Sequence, residues 1–313
     1  KSRRKVNCEV VRTRFCTGPP PSRRLSLKNN YTYYIISEGE SPEMLTPKEI
    51  DVSYRYLRGK CELEPRLAVV LGSGIPRPAL DDVREVPFAE VPHLTRPTVE
   101  GHRGNLLFGC AGAVGAVVSE GRLHAYEGIT ADGATLPIRL FARLGCRTLI
   151  TTGAAGSLRE EFAPGDVALV RDHINLLGRS PLNGPYHEEF GPRFVAAADA
   201  YDETLRARAN ELAAALGFNP KEAVYVAVPG PQYETAAEAR ALAALGGDVV
   251  GMSIPNEVLV ARQAGLKVLA LCAVTNVAGL AEVNHEEVLA GAEATGEKIK
   301  ALIDALLPTL GER

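Results

Sequence analysis

From Met44 onward, short apolar runs alternate with segments whose apolar residues recur every three to four positions. Thr46-Pro47-Lys48-Glu49 reads as a helix start, with Thr46 as cap, Pro47 in the first helical position and Glu49 closing a capping box. Buried-strand runs are expected at 67–71, 105–109, 114–119, 148–152, 166–172, 223–228, 248–252 and 266–275. Helical spacing falls between several of them, at 135–144, 201–216, 235–245 and 255–264. A last helix is expected to begin at Asn284, with Glu287 completing its capping box. This interleaving predicts an α/β fold: a single domain with a central mixed, largely parallel sheet flanked by helices. No internal repeat or low-complexity linker interrupts it after Met44.

In such sheets ligands gather where strands end. Here those positions are rich in glycine and polar residues: Gly72-Ser73-Gly74, Gly121-Arg122-Leu123-His124, Ala154-Ala155-Gly156, Pro229-Gly230-Pro231, Met252-Ser253 and Thr275-Asn276. Gly72-Ser73-Gly74 could bring backbone amides to an anion, or it could be a plain tight turn. It is not a dinucleotide fingerprint, since Arg77 stands where the third glycine belongs, and no GK[ST] phosphate loop is present. On an extended segment Arg122, His124 and Tyr126 would share one face, and an arginine fork suits phosphate. Ser253, ahead of Pro255, could hold an anion at a helix start or simply cap that helix. Tyr233-Glu234 offers an aromatic face and a carboxylate, and Asn276 an amide that both donates and accepts. Each could instead serve a turn or a helix start, and His285 could simply face solvent beside a helix cap.

Composition narrows the partners. The 313 residues include 35 Lys and Arg against 38 Asp and Glu, a net charge of −3 that gives no basis for nucleic acid or a membrane surface as partner. No apolar run is long enough to span a bilayer. Six cysteines (Cys8, Cys16, Cys61, Cys110, Cys146 and Cys272) lack CxxC spacing and read as reduced thiols of a cytoplasmic protein, with no metal site implied. Residues 1–43 differ from the rest: nine Lys and Arg against four Asp and Glu, the run Pro19-Pro20-Pro21 and no sustained periodicity. They are expected to be a poorly ordered leader or a reading-frame extension ahead of a folded unit at 44–313. Taken alone, these residues describe an α/β protein for a phosphate-bearing or phosphate-using ligand.

The ordered motifs VVLGSG, TVEGHRG, GRLHAYEG, AAGSL, FAPGDVALVRDHINLLGRSPLNGP, VPGPQYET, VVGMS, AVTN and NHEEVL resemble the trimeric purine nucleoside phosphorylases over roughly residues 45 to 310. The resemblance implies an enzyme, a pentosyltransferase of purine salvage. It would cleave 6-oxopurine (deoxy)ribonucleosides such as inosine and guanosine with phosphate, giving the free base and (deoxy)ribose 1-phosphate. Inorganic phosphate would be a co-substrate, and no cofactor is implied. Ser73, His102, Arg122, His124, the Ala154 amide and Ser253 would bind phosphate. Tyr126, Met252 and His285 would line the ribose, and Tyr233, Glu234 and Asn276 the base. Asn276, His124 and Glu234 would carry the catalysis. Phe190 matches an aromatic that the family passes into the neighbouring subunit's pocket, so a homotrimer is implied.

The chain departs from that pattern in places. Gly153 stands where the family often has Asn, Met252-Ser253-Ile254-Pro255-Asn256-Glu257 replaces the common MST(V/A)PE, and Arg96-Pro97 precedes TVEGH. The continuation SLREE resembles the related methylthioadenosine phosphorylases, which usually place serines near Tyr233-Glu234 and Asp at the position of Asn276. A phosphorylase for methylthioadenosine or another 6-aminopurine nucleoside is therefore the first alternative. A non-catalytic nucleoside-binding protein on the same fold is the second, set against the retained Arg122, His124 and Ser253.

Overall fold

The computed structural model describes residues 45–280 and 285–311. The expectations for residues 1–43 and for an Asn284–Glu287 capping box lie outside the described residues. Helix α1 (Pro47–Lys60) begins as its sequence predicts, with the Thr46 hydroxyl and the Glu49 carboxylate each accepting a backbone N–H of the other.

Nine strands follow: β1 (Leu67–Val70), β2 (Asp81–Pro87), β3 (Asn105–Ala111), β4 (Val114–Ser119), β5 (Thr148–Ser157), β6 (Val167–Asn175), β7 (Lys221–Ala227), β8 (Val249–Gly251) and β9 (Lys267–Val277). Between them run α2 (Ala131–Ala134), α3 (Leu136–Leu144), α4 (Glu203–Ala215), α5 (Ala236–Ala244) and α6 (Pro255–Gln263), and α7 (His285–Leu306) follows β9. The strands lie in the order β2-β3-β4-β1-β5-β8-β7-β6-β9, and β5 also pairs with β9. That extra pairing closes the second half of the sheet on itself. Five of the nine pairings are parallel, so the sheet is mixed as expected.

Strand β2 escapes sequence reading because its residues DDVREVP carry no apolar alternation. It is an edge strand paired to β3 alone and is exposed along most of its length. One apolar cluster fills the face covered by α1, α3 and α6, including Leu57, Leu136, Phe141 and Val258. A second, with Leu205, Ala209, Ile299 and Leu302, packs under α4 and α7. The result is a sheet sandwiched by helices.

The feature that places the site is β5. Its first four residues pair with β1, as far as Thr151 against Val70, whereas β8 joins only at Gly156 and Ser157. Along the opposite edge β9 runs beside the whole strand. Over Thr152–Ala155 one edge of β5 is therefore without a strand neighbour, and the chain leaving β1 turns away at Gly72-Ser73-Gly74. The Gly72 N–H donates to the Thr152 hydroxyl at 2.9 Å. A Cβ on Gly72 would stand 2.6 Å from Gly153 Cα and 2.7 Å from the Thr152 carbonyl oxygen, so only glycine lets this loop lie against β5. Gly72→Ala is expected to destabilise the protein by about 1–3 kcal/mol through overpacking against backbone that cannot yield, read as a lower urea midpoint.

Candidate active site

The gap beside β5 opens into a cavity of about 440 Å³. Ser73, Arg122, His124, Tyr126, Ala154, Tyr233, Glu234, Met252, Ser253 and Asn276 all line it, together with Gly156, Thr275 and Val288. Ten of the residues named from sequence thus converge from the ends of β1, β4, β5, β8 and β9 and from the turn before α5. Three do not stand with them. His102 lies immediately behind Ser73 and lines an adjacent cavity, His285 has a side chain outside the described residues, and Phe190 packs elsewhere.

Arg122 sits at the deep end, 4% exposed. Its Nε donates to Glu257 Oε1 at 2.7 Å, and its Nη2 to Glu257 Oε2 at 3.2 Å and the Thr151 hydroxyl at 2.8 Å. Burial opposes the charge on the guanidinium, and the Glu257 carboxylate outweighs it, so the group stays cationic. A Cβ at Gly153 would lie 3.4 Å from Arg122 Nη1 and 3.8 Å from Ser253 Oγ, which places those two donors side by side across an open patch of β5. The glycine that departs from the family pattern therefore widens this corner. Ser253 does not cap α6, because Ile254 directly precedes the helix and no side chain caps it. Its hydroxyl faces the cavity instead.

The Ser73 and Arg122 segments are tied through His102. The Arg122 N–H donates to His102 Nδ1 at 3.3 Å, which puts the ring proton on Nε2, 3.2 Å from Ser73 Oγ. Ser73 then accepts from the ring and can turn its own proton toward an anion. Gly121, at φ +107°, permits this contact: a Cβ there would stand 2.6 Å from His102 Nδ1.

Sequence reasoning put His124 and Tyr126 on one extended segment. The structure instead closes a 3₁₀ turn at Ala125–Glu127, because Glu127 accepts the His124 N–H at 2.7 Å and stands 3.2 Å from His124 Nδ1. The turn stacks Tyr126 on the His124 ring, centroids 4.6 Å apart, and both still reach the cavity. Burial pushes the His124 imidazole below its ordinary value, so the neutral ring donates from Nδ1 to Glu127 and presents Nε2 as an acceptor. Such a ring meets a phosphate O–H rather than a bare phosphate oxygen. Burial would raise the Glu127 carboxyl, but hydrogen bonds from His124 and from the Thr98 N–H and hydroxyl hold it at about 2. Burial also lifts the Tyr126 phenol to about 12, keeping its O–H intact.

The far end of the cavity suits a flat polar ring. Tyr233 and Glu234 arrive just before α5, and burial pushes the Glu234 carboxyl above its ordinary value. The Thr275 hydroxyl donates to Asn276 Oδ1 at 2.8 Å and so orients the amide. Asn276 Nδ2 is left on the side of Gly156, where a Cβ would come within 3.2 Å of it. Phe190 lies under the Arg139 guanidinium at 4.2 Å and edge-on to His187, in its own chain and away from this cavity. Among the described residues no group of three or more His, Cys, Asp and Glu could hold a metal ion.

Comparison with known proteins places the chain in a family. Residues 66–308 match the phosphorylase superfamily. The chain is 40% identical over 257 residues to purine nucleoside phosphorylase 1 of Geobacillus stearothermophilus, covering 80% of this chain and 92% of that relative. The chain belongs to the purine nucleoside phosphorylase family. Crystal structures of the Schistosoma mansoni member superpose on it with a TM-score of 0.81 at 35% identity. The complex with adenosine covers 86% of this chain and 99% of the solved one, and the complex with inosine 86% and 98%.

As a purine nucleoside phosphorylase, the chain also uses residues that its sequence did not single out. Glu257, Thr151, Glu127 and Thr98 hold Arg122 and His124 from behind. Glu257, Glu127 and Thr98 stand within the quoted motifs MSIPNE, GRLHAYEG and TVEGHRG, but the motifs alone gave them no role. Glu257→Gln is expected to cost about 3 kcal/mol in urea unfolding, since it leaves a buried guanidinium unneutralised. Saturating inorganic phosphate should restore part of that loss by binding the folded state. His124 adds a pH dependence. Its folded value lies below the unfolded one near 6.5, so the unfolded chain binds the proton first. Stability from the neutral ring is complete above about 6.5 and drains away as pH falls toward the depressed folded value. His124→Gln is expected to flatten that acid slope in unfolding midpoints measured between about pH 7 and 5.

Proposed function

We propose that the protein cleaves 6-oxopurine nucleosides such as inosine and guanosine, and their deoxy forms, with inorganic phosphate. The observation that supports this most is the pairing of ends within one cavity: Arg122, Ser73 and Ser253 at one side, Glu234 and Asn276 at the other. Phosphate is read as a co-substrate held by Ser73, Arg122, His124, the Ala154 amide and Ser253, with His102 fixing Ser73 from behind. Tyr126, Met252 and His285 are assigned to the ribose, Tyr233 to the face of the base. No resident cofactor is required.

The chemistry follows from where charge develops. As the glycosidic bond lengthens, the ribose gains oxocarbenium character and the purine gains negative charge. Glu234 holds the base by accepting its N–H groups. The Asn276 amide stabilises the charge around N7 with hydrogen bonding that is stronger in the transition state than in the ground state. Phosphate, held on the opposite side of the sugar, screens the cation and attacks the anomeric carbon. The P–O–C bond forms as the C–N bond breaks, and the base leaves with the bonding pair and takes up a proton. Positioning and electrostatics carry the rate, with no covalent enzyme intermediate.

We further read the active form as a cytoplasmic homotrimer, in which a neighbouring subunit's Phe190 completes the pocket. Among the described residues no helix is long and apolar enough to cross a membrane. The deciding assay follows base release from inosine, guanosine, adenosine and methylthioadenosine with and without phosphate. Inosine and guanosine are expected to be cleaved only with phosphate, and equal cleavage without it would sink the reading. Asn276→Ala is expected to lose about 3 kcal/mol in kcat/KM for inosine. Asn276→Asp should shift the kcat/KM ratio toward adenosine, and an unmoved ratio would count against the base assignment.

A further inference from the structure

On the far side of the Ser73 loop from the substrate cavity, a second connection joins the same two segments that His102 joins on the inside. Four residues past Ser73, the Arg77 guanidinium meets the Glu120 carboxylate through both Nε and Nη2, the latter at 2.7 Å from Oε2. Glu120 directly precedes Gly121 and Arg122, and its side chain is 4% exposed. The carboxylate also accepts from Asn105 Nδ2 at 3.1 Å, and its backbone is fixed by N–H to Asn105 and carbonyl to Gly104, each 2.9 Å. It is therefore a rigid anchor. Arg77 is the movable partner: it comes from an irregular loop, is 37% exposed, and spends its remaining Nη1 on Glu85 of the edge strand β2 at 2.7 Å.

We propose that Arg77 and Glu120 form a clasp that sets the spacing between the Ser73 loop and the Arg122 segment, making both positioning residues for phosphate. This rests on the phosphorylase reading above. The reasoning is geometric. The inner link from Ser73 through His102 to the Arg122 N–H consists of two hydrogen bonds of 3.2 and 3.3 Å, long for their kind. Gly72, Gly74 and Gly121 leave the two segments little stiffness of their own, with Gly74 and Gly121 at positive φ. A bidentate arginine–carboxylate pair supplies what the inner link lacks, two parallel bonds to a buried anchor. Ordinary surface pairs contribute little, but this carboxylate is nearly enclosed, so its partner is not readily replaced by water. The clasp touches no substrate. It acts through Ser73 and Arg122 on one ligand, phosphate, and leaves the base end of the cavity alone.

The test measures KM for phosphate and for inosine separately, alongside kcat and the urea midpoint. Arg77→Ala is expected to raise KM for phosphate about tenfold while kcat and KM for inosine stay within about twofold. Arg103 Nη1 also lies 3.8 Å from Glu120 Oε1 and is exposed, so Arg77→Ala leaves the buried carboxylate with that distant cation alone, and the double variant Arg77→Ala/Glu120→Gln removes the poorly neutralised charge. Its urea midpoint should return toward that of the parent while its phosphate KM stays raised. An unchanged phosphate KM in Arg77→Ala overturns the clasp, and so does a double variant in which phosphate KM returns to the parental value. Should Arg77→Ala fail to fold, Arg77→Lys keeps the charge without the fork; it is expected to raise phosphate KM about threefold, and no rise overturns the proposal. The parent separates the two ideas. A parent whose inosine cleavage ignores phosphate overturns the phosphorylase reading and the clasp with it, whereas a phosphate-dependent parent with unmoved variants overturns the clasp alone.

Discussion

The site depends on one strand edge that two neighbours share without filling it. β5 is held by β9 along one whole edge, but on the other edge β1 departs after Thr151 and β8 arrives only at Gly156. Backbone in between must meet something other than a strand, because buried N–H and C=O groups are costly to leave unpaired. On the departing β1 chain the Thr152 hydroxyl does this, accepting the Gly72 N–H and donating to the Val70 carbonyl. The remainder faces the cavity. The open corner at Ala154 is thus a consequence of how the sheet divides, and the loops after β1, β4 and β8 converge there because their strands end on either side of that division.

Such convergence was legible in the sequence to a useful degree. Each apolar run ended at a glycine or polar cluster, and eight of the nine strands follow those runs. Arg122, Ser253 and Asn276 could be placed on one rim by the rule that ligands gather at strand ends, although periodicity alone left every one of them with an ordinary alternative. The family resemblance supplied the roles. What could not be read was the layer behind the site. Glu257 is 135 positions from Arg122 and Thr98 is 29 from Glu127, and nothing in local pattern announces a contact across such distances. The turn at Ala125–Glu127 was missed for a related reason: the strand-like alternation of Arg122, His124 and Tyr126 competes with a carboxylate three residues on that accepts the His124 N–H, and the hydrogen bond wins.

The supporting layer decides the electrostatics. Two carboxylates, Glu257 and Glu127, stand directly behind Arg122 and His124. Glu257 makes Arg122 a neutralised pair, and burial keeps His124 a neutral ring against the opposing pull of Glu127, which orients it; the corner offers aimed donors and one acceptor. Donors fixed in place before the ligand arrives need no reorganisation when charge develops, which is the property catalysis exploits. If phosphate binds here as proposed, its protonation state matters: Nε2 of a neutral His124 fits a phosphate that still carries a proton.

At the opposite end the logic is reversed, and the contrast explains why both ends are needed. Among the described residues no cation forms an ion pair with Glu234, and its carboxyl is raised by burial first and by the nearby Glu238 charge second. An anion so placed is most comfortable with N–H donors from a ligand, and a 6-oxopurine bound as proposed would present them. Asn276 sits beyond, its amide oriented by Thr275 and its nitrogen accommodated by the missing Cβ of Gly156. Carboxylate and amide together favour a base that donates at one edge and gathers negative charge at the other. That gathering occurs only as the glycosidic bond breaks. On the proposed reading the Glu234–Asn276 end thus rewards the transition state, while the Arg122 end, held from behind, would keep the nucleophile where the bond is to form.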